Sequence, residues 1–307
     1  MTPARRIVIL GPTAAGKSEV ALQLASRLRG EIIGADSRQI YRGLEIGTAA
    51  PGPRERSLVP HHLASFLSPD EIYSAGRYAR DARAAIASVE ARGSTGLIVG
   101  GSGLYLRALL DGLFEGPERD EGIRRMLRAR LESEGLESLR RELGAADPVA
   151  LAGIMPGDAV RVVRALEVYA LTGRPISALR LERRREAVPA TLFGIRWPRP
   201  LLAKRIESRI QDQLADGFLE QARALAESGL AADAPGLHTL GYRELLAHLK
   251  GPTTLEGAVA MIALRTRQLA KRQLTWFRKV GGIEWFDLEG ADQLGEVAAA
   301  IESRFEP

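Results

Sequence analysis

The chain opens on a continuous apolar run, RRIVIL at 5–10. A run of that length without polar alternation predicts a parallel strand buried on both faces. KSEVALQLASRLRG follows with apolar residues at helical spacing, and Gly30 is its expected stop. EIIGAD (31–36) predicts a second strand, ending in an acid. YSAGRYARDARAAIASVEARG (73–93) predicts an amphipathic helix closed by glycine. TGLIVGG (95–101) predicts a third buried strand, and LYLRALLDG (104–112) a short helix. Strands alternating with helices indicate a doubly wound, mostly parallel α/β sheet. The rhythm changes near Gly112: from Pro117 to Glu186 the chain is rich in Arg and Glu at helical spacing, with no buried strand. ATLFGIRW (190–197) returns to the sheet. Helical segments are expected near 201–228 and 255–279, and IEWFD (283–287) is a last candidate strand. The expected organisation is an α/β core over 1–115, a helical insertion over 116–189, and the rest of the core over 190–307.

Composition narrows the classes. With 307 residues, 45% of them apolar and 26% charged, the chain reads as globular and long enough for more than one domain. It contains no cysteine, which excludes disulfides, thiolate nucleophiles and Cys-ligated zinc, and fits a reducing cytoplasm. No apolar run is long enough to span a bilayer, so no membrane association is expected. The net charge of +5 suits a polyanionic partner without demanding one.

Between the first strand and the first helix lies GPTAAGKS (11–18), which fits G-x-x-x-x-G-K-[ST]. In such a loop, backbone N–H groups converge on phosphate oxygens, and the helix N-terminus adds its positive end. Gly11, Pro12, Thr13, Ala14, Ala15 and Gly16 would form the cradle. Lys17 would reach the outer phosphate and the Ser18 hydroxyl would hold Mg²⁺. The motif does not say whose phosphates these are.

Asp36 sits where the second strand ends, at the edge where open α/β sheets bind ligands. It could act as a base, a metal ligand or a turn cap, and spacing leaves the three open. Gln39 and Tyr41 lie nearby. VGGSGLY (99–105) ends the third strand, with Ser102 offering a hydroxyl at the same edge or merely closing a tight turn. ALRTRQLAKRQLTWFRKV (263–280) carries Arg265, Arg267, Lys271, Arg272, Arg278 and Lys279, with no acid between Glu256 and Glu284 and with Trp276 and Phe277 among the cations. That suits nucleic-acid phosphates and base stacking, or a solvated face with Trp276 in the core. On residues alone, a small-molecule kinase, an RNA-binding NTPase and an RNA-modifying enzyme all remain open.

The ordered blocks GPTAAGKS, ADSRQIY (35–41), GLEIGTA (43–49), PHHL (60–63), YSAGRYARDA (73–82), VGGSGLYLRALLDGL (99–113), RALEVYALTGRP (164–175), GYRE (241–244) and TRQLAKRQLTWFR (266–278) resemble the tRNA dimethylallyltransferase family. The resemblance implies transfer of a dimethylallyl group from dimethylallyl diphosphate to N6 of the adenosine just 3′ of the anticodon, in tRNAs reading codons that start with U. It makes Asp36 the general base, places Lys17 and Ser18 at the diphosphate and Mg²⁺, counts Ser102 among the catalytic residues as a retained hydroxyl, and matches Arg223 in GFLEQARAL (217–225) to an arginine that meets the diphosphate. It matches Asp36, Ser37, Arg38, Gln39, Arg161, Arg164, His238, Gly241, Tyr242, Arg243, Lys271, Arg272, Gln273, Trp276 and Arg278 to positions that touch tRNA. It further implies an insertion that contacts the anticodon stem-loop, and a monomeric cytoplasmic enzyme. Two departures stand out: Ala15 replaces the family's usual serine, and Ser102 its usual threonine.

Overall fold

In the computed structural model, residues 6–112, 117, 120–182, 187–251 and 253–305 are described. Outside them lie the first residue of RRIVIL, the last residue of the 99–113 block and Glu186 at the expected end of the insertion. In chain order the elements are β1 (Ile7–Leu10), α1 (Lys17–Leu28), β2 (Gly30–Gly34), α2 (Glu45–Thr48), α3 (Pro53–Leu58), β3 (His61–His62), α4 (Ala75–Ala91), β4 (Thr95–Gly100) and α5 (Gly103–Leu110). Then come α6 (Glu121–Glu134), α7 (Leu136–Ala146), α8 (Pro148–Ala152), α9 (Ala159–Thr172) and α10 (Ile176–Glu182). The chain returns through β5 (Thr191–Arg196), α11 (Arg199–Ala215), α12 (Phe218–Glu227), α13 (Tyr242–Leu249), α14 (Leu255–Phe277), β6 (Ile283–Asp287) and α15 (Leu294–Glu302).

Six strands form one sheet in the order β3-β2-β4-β1-β5-β6, and every pairing is parallel. All four residues of β1 are at most 1% exposed, which is why that segment shows no polar alternation. Each such side chain contributes about 1.5–3 kcal/mol by leaving water. The chain goes from β1 past β4 to β2, then crosses to β5 on the other side of β1. The order therefore reverses at β1, and ligands of such sheets bind at the strand carboxyl ends beside that reversal. The phosphate-type loop, Asp36 and Ser102 follow the carboxyl ends of β1, β2 and β4 respectively.

Local differences from the expected elements have physical causes. Helix α1 ends on Arg29, which is left-handed (φ 48°) and donates its N–H to the Ala25 carbonyl; Gly30 is already the first residue of β2. The expected helical segment 201–228 is two helices, because Gly217 at φ 96° turns the chain between α11 and α12. The two histidines of β3 carry no apolar signal, yet pair with Ile32 and Ile33.

The chain divides into two compact units: Met1–Ser74, Arg80–Leu106 and Pro189–Pro307 form one, and Ala75–Ala79 with Arg107–Val188 the other. The first holds the sheet. The second is helical, with a core built on Leu127, Leu139, Leu143, Val162, Leu166 and Val168. Inside it, Glu167 is fully buried and accepts from Arg124 at 2.8 Å and Arg164 at 2.7 Å. Burial alone would raise its carboxyl; the hydrogen bonds from Arg124 and Arg164 outweigh this and hold it below the usual carboxylate range.

Candidate functional site

The loop after β1 owes its shape to two left-handed residues, Ala14 (φ 62°) and Gly16 (φ 90°). Gly16 is required twice over: its φ disfavours side chains, and a Cβ there would lie 2.6 Å from Leu294. The loop carbonyls are held from α11 and β5: Arg205 donates to Ala14 O at 2.9 Å and Trp197 Nε1 to Ala15 O at 3.0 Å, with the Arg205 guanidinium stacked over the Trp197 ring. The side chain lost at Ala15 is therefore not needed to hold the loop.

A cavity of about 740 Å³ opens above the loop. Thr13 to Glu19, Asp36, Gln39, Thr48, Arg205 and Arg209 are among its walls. Besides Arg205, Lys17 and Arg209 face it. Lys17 donates to Pro12 O at 2.7 Å, and burial pushes its ammonium down to about 8; nearby Asp36 opposes that shift and Arg209 adds to it. Arg209 donates to Thr13 Oγ1 at 3.2 Å and to Thr48 O at 3.3 Å, and burial lowers it from the usual arginine range against the pull of Asp36. Both spend their hydrogen bonds on neutral oxygens, so neither is hydrogen-bonded to a carboxylate and each can still meet an anion.

Asp36 is half-buried on the same wall. Its Oδ1 accepts from Arg38 N at 2.9 Å, the turn-capping contact, which leaves Oδ2 for the cavity. A second, smaller cavity of about 90 Å³ shares Thr13, Asp36, Thr48 and Arg209 with the first and is walled on its far side by Leu240, Gly241, Thr266, Leu269 and Gln273. The carboxylate thus borders both spaces.

Several residues singled out from the sequence lie elsewhere. Arg223 is on the exposed face of α12, because Ala222 and Leu225 are the buried positions of that helix; beside Arg205, the arginine that reaches the cavity is Arg209. The assignment of a diphosphate contact to Arg223 is corrected accordingly. Sequence reasoning missed Arg209, and its only signal was a position one helical turn beyond Arg205. The Ser102 hydroxyl turns away from the large cavity, accepting from Ser37 N at 2.9 Å and donating to Ser37 Oγ at 3.2 Å, so it braces the turn that carries Asp36. Tyr242 is fully buried, and its hydroxyl accepts from Gly47 N at 3.0 Å and donates to Gln221. It clamps α2 and is not offered to a ligand. Gln39 donates to the Thr48 and Ala49 carbonyls at 3.1 and 2.7 Å.

Helix α14 separates the basic residues into two sets. Arg265 pairs with Glu244 and Arg267 with Glu207, so these two support the fold. Lys271, Arg272, Arg278 and Lys279 are exposed. Trp276 is half-buried, stacked edge-on against Phe277 at 5.3 Å and packed on Gly103. With Gln268, Lys271, Arg272, Thr275 and Lys279 it lines an open groove of about 470 Å³. His238 and Arg243 are exposed, and Arg38 reaches Pro235 O at 3.3 Å. In the helical unit Arg161 is exposed and paired with Asp158, while Arg164 is engaged with Glu167 and Pro117 O.

The chain resembles known proteins over most of its length. The chain is 46% identical to the tRNA dimethylallyltransferase of Geobacter metallireducens, over 93% of each chain, and 44% identical to that of Anaeromyxobacter dehalogenans, over 92% of this chain and 94% of that one. It superimposes on the full-length tRNA isopentenylpyrophosphate transferase of Bacillus halodurans with a TM-score of 0.70 at 35% identity, covering 98% of this chain and 96% of that one. It also superimposes on a eukaryotic dimethylallyltransferase acting on tRNA with a TM-score of 0.83 at 29% identity, covering 98% and 79%. The pattern that describes IPP transferases matches residues 39–280, from the turn after Asp36 to the end of the basic helix, and the chain belongs to that family.

Proposed function

We propose that this protein is a tRNA dimethylallyltransferase. It moves the dimethylallyl group of dimethylallyl diphosphate to N6 of the adenosine just 3′ of the anticodon, in tRNAs reading codons that begin with U, and releases diphosphate. The observation that carries the reading is one cavity on which an anion-cradling loop, Lys17 and Arg209 with their hydrogen bonds to neutral oxygens, and the Asp36 carboxylate converge.

The reaction breaks an allylic C–O bond and forms a C–N bond. Negative charge grows on the leaving diphosphate, where loop N–H groups, Lys17 and Arg209 receive it; each such donor is worth about 3–4 kcal/mol in the transition state. The adenine N6 lone pair is delocalised into the ring and is a poor nucleophile. A carboxylate that accepts an N6 hydrogen bond aims that lone pair and takes the proton as the new bond forms. Oδ2 of Asp36 fits the task, because Arg38 N holds Oδ1 and so fixes the plane of the group. Ser18 offers an oxygen donor on the cavity wall beside the phosphate cradle. That donor fits Mg²⁺, which keeps most of its waters and takes few protein ligands beside phosphates. The ion when bound would offset diphosphate charge. The base must leave its stack to reach Asp36, at a cost of a few kcal/mol; the exposed cations and Trp276 groove of α14 offset that cost, with Arg161 of the insertion as a further phosphate contact.

One assay tests the reading: protein, Mg²⁺, radiolabelled dimethylallyl diphosphate and unmodified tRNA. Label should appear on the adenosine next to the anticodon, and Asp36→Asn should slow transfer by about 10²–10⁴ while diphosphate affinity survives. Absence of transfer together with ATP hydrolysis would overturn the proposal.

A further inference from the structure

The resemblance counts Gln273 among residues that touch tRNA, yet its side chain points into the protein. Its Oε1 accepts from Thr13 N at 2.9 Å and its Nε2 donates to Gly101 O at 3.0 Å. One amide therefore ties the anion-cradling loop after β1 to the turn after β4. The fit is close: a Cβ on Gly101 would lie 2.3 Å from Gln273 Nε2. Thr13 is also the residue whose hydroxyl accepts from Arg209, so the amide, the loop and the second cation form one connected set. On the outside of the same helix stand Lys271 and Arg272, and Trp276 one turn on. A helix is stiff over so short a span, so a load on its exposed face moves the inner amide with it.

We infer that Gln273 is a positioning residue that couples RNA on α14 to the geometry of the diphosphate loop. The inference rests on the tRNA-prenylating reading above. Helix α14 cannot shift on RNA binding without pulling on Thr13 N, and that N–H lies in the cradle. RNA and diphosphate therefore do not bind independently, and by linkage each changes the affinity of the other by the same factor.

The test measures inorganic diphosphate binding, with Mg²⁺, in the presence and absence of a saturating unmodified anticodon stem-loop. In the wild-type protein the stem-loop should tighten diphosphate binding by on the order of 5–150-fold. Gln273→Met, of similar volume but without the amide, should bring that factor to about one and lower kcat, while stem-loop affinity alone and its salt dependence stay at wild-type values. Gly101→Ala leaves residue 273 intact and displaces its amide from the other end, so it should lose the coupling in the same way. A variant that loses stem-loop affinity but keeps the coupling, or coupling that survives in both variants, overturns the role given to Gln273. A wild-type protein that binds neither stem-loop nor diphosphate overturns the functional reading itself.

Discussion

At the scale of single residues, cations not hydrogen-bonded to a carboxylate are the most informative feature. Lys17 and Arg209 face one cavity and hydrogen-bond neutral oxygens, and burial has driven the Lys17 ammonium down to about 8 from its ordinary 10.5. Deprotonation removes the charge proposed to meet diphosphate, so affinity of the free protein for diphosphate should fall as pH rises through about 8. A binding titration between pH 7 and 10 checks this, and Lys17→Arg should flatten the fall. The sign for stability is opposite. Between about 8 and 10.5 the unfolded chain holds more protons at this site, so the ligand-free fold gains stability across that window. The two arginines proposed for the diphosphate separate cleanly. Arg209→Gln should lower kcat by about 10²–10³, as expected for loss of one charge-stabilising donor. Arg223→Gln, on the exposed face of α12, should leave turnover close to wild type, and steady-state kinetics on the pair decides between them.

At the scale of elements, α14 does two jobs along its length, pairing Arg265 and Arg267 with carboxylates and leaving Lys271 and Arg272 exposed further on. Lys271→Glu with Arg272→Glu should weaken tRNA binding and reduce the salt slope by about 2, near 0.9 for each lost phosphate contact. Arg265→Gln should instead lower the melting temperature, since it removes a partner of the buried Glu244 carboxylate. The cationic run was visible in the sequence, but its division into paired and exposed residues was not, because spacing does not say which carboxylates lie opposite. The same limit applies more widely. Strands β1 and β4 were legible because burial on both faces leaves an apolar run, and β2 and β5 by their apolar centres. Strand β3 was not, since it is two histidines with no apolar signal. The phosphate-type loop was legible because its chemistry is local. Arg209 was not, because what makes it functional is Thr13, distant in sequence and brought near only by the sheet. The resemblance matches Gln273 and Tyr242 to positions that touch tRNA; in the fold both side chains bond protein groups, which a motif match does not reveal.

At the scale of the whole molecule, the site belongs to the sheet-bearing unit, and the helical unit has its own core around the buried Glu167. No helix among the described residues is long and apolar enough to cross a membrane. Strand β1 carries the loop at its end, yet one of its two neighbours, β5, is separated from it by the whole of the helical unit. A fragment ending at Val188 should therefore scatter light as aggregate and fail to bind diphosphate, since it leaves the Ile7–Leu10 edge open. The strand order also sets a timetable. On a ribosome at ~5–20 residues per second, the stretch between β4 and β5 takes on the order of 5–20 s to emerge. For that interval the most apolar strand of the molecule has one side unpaired, and the helical unit is what is being made meanwhile. An insertion that folds promptly brings its two ends together and shortens the loop that β5 must close. The position of that unit in the chain thus bears on how safely the protein is born as well as on what it later binds.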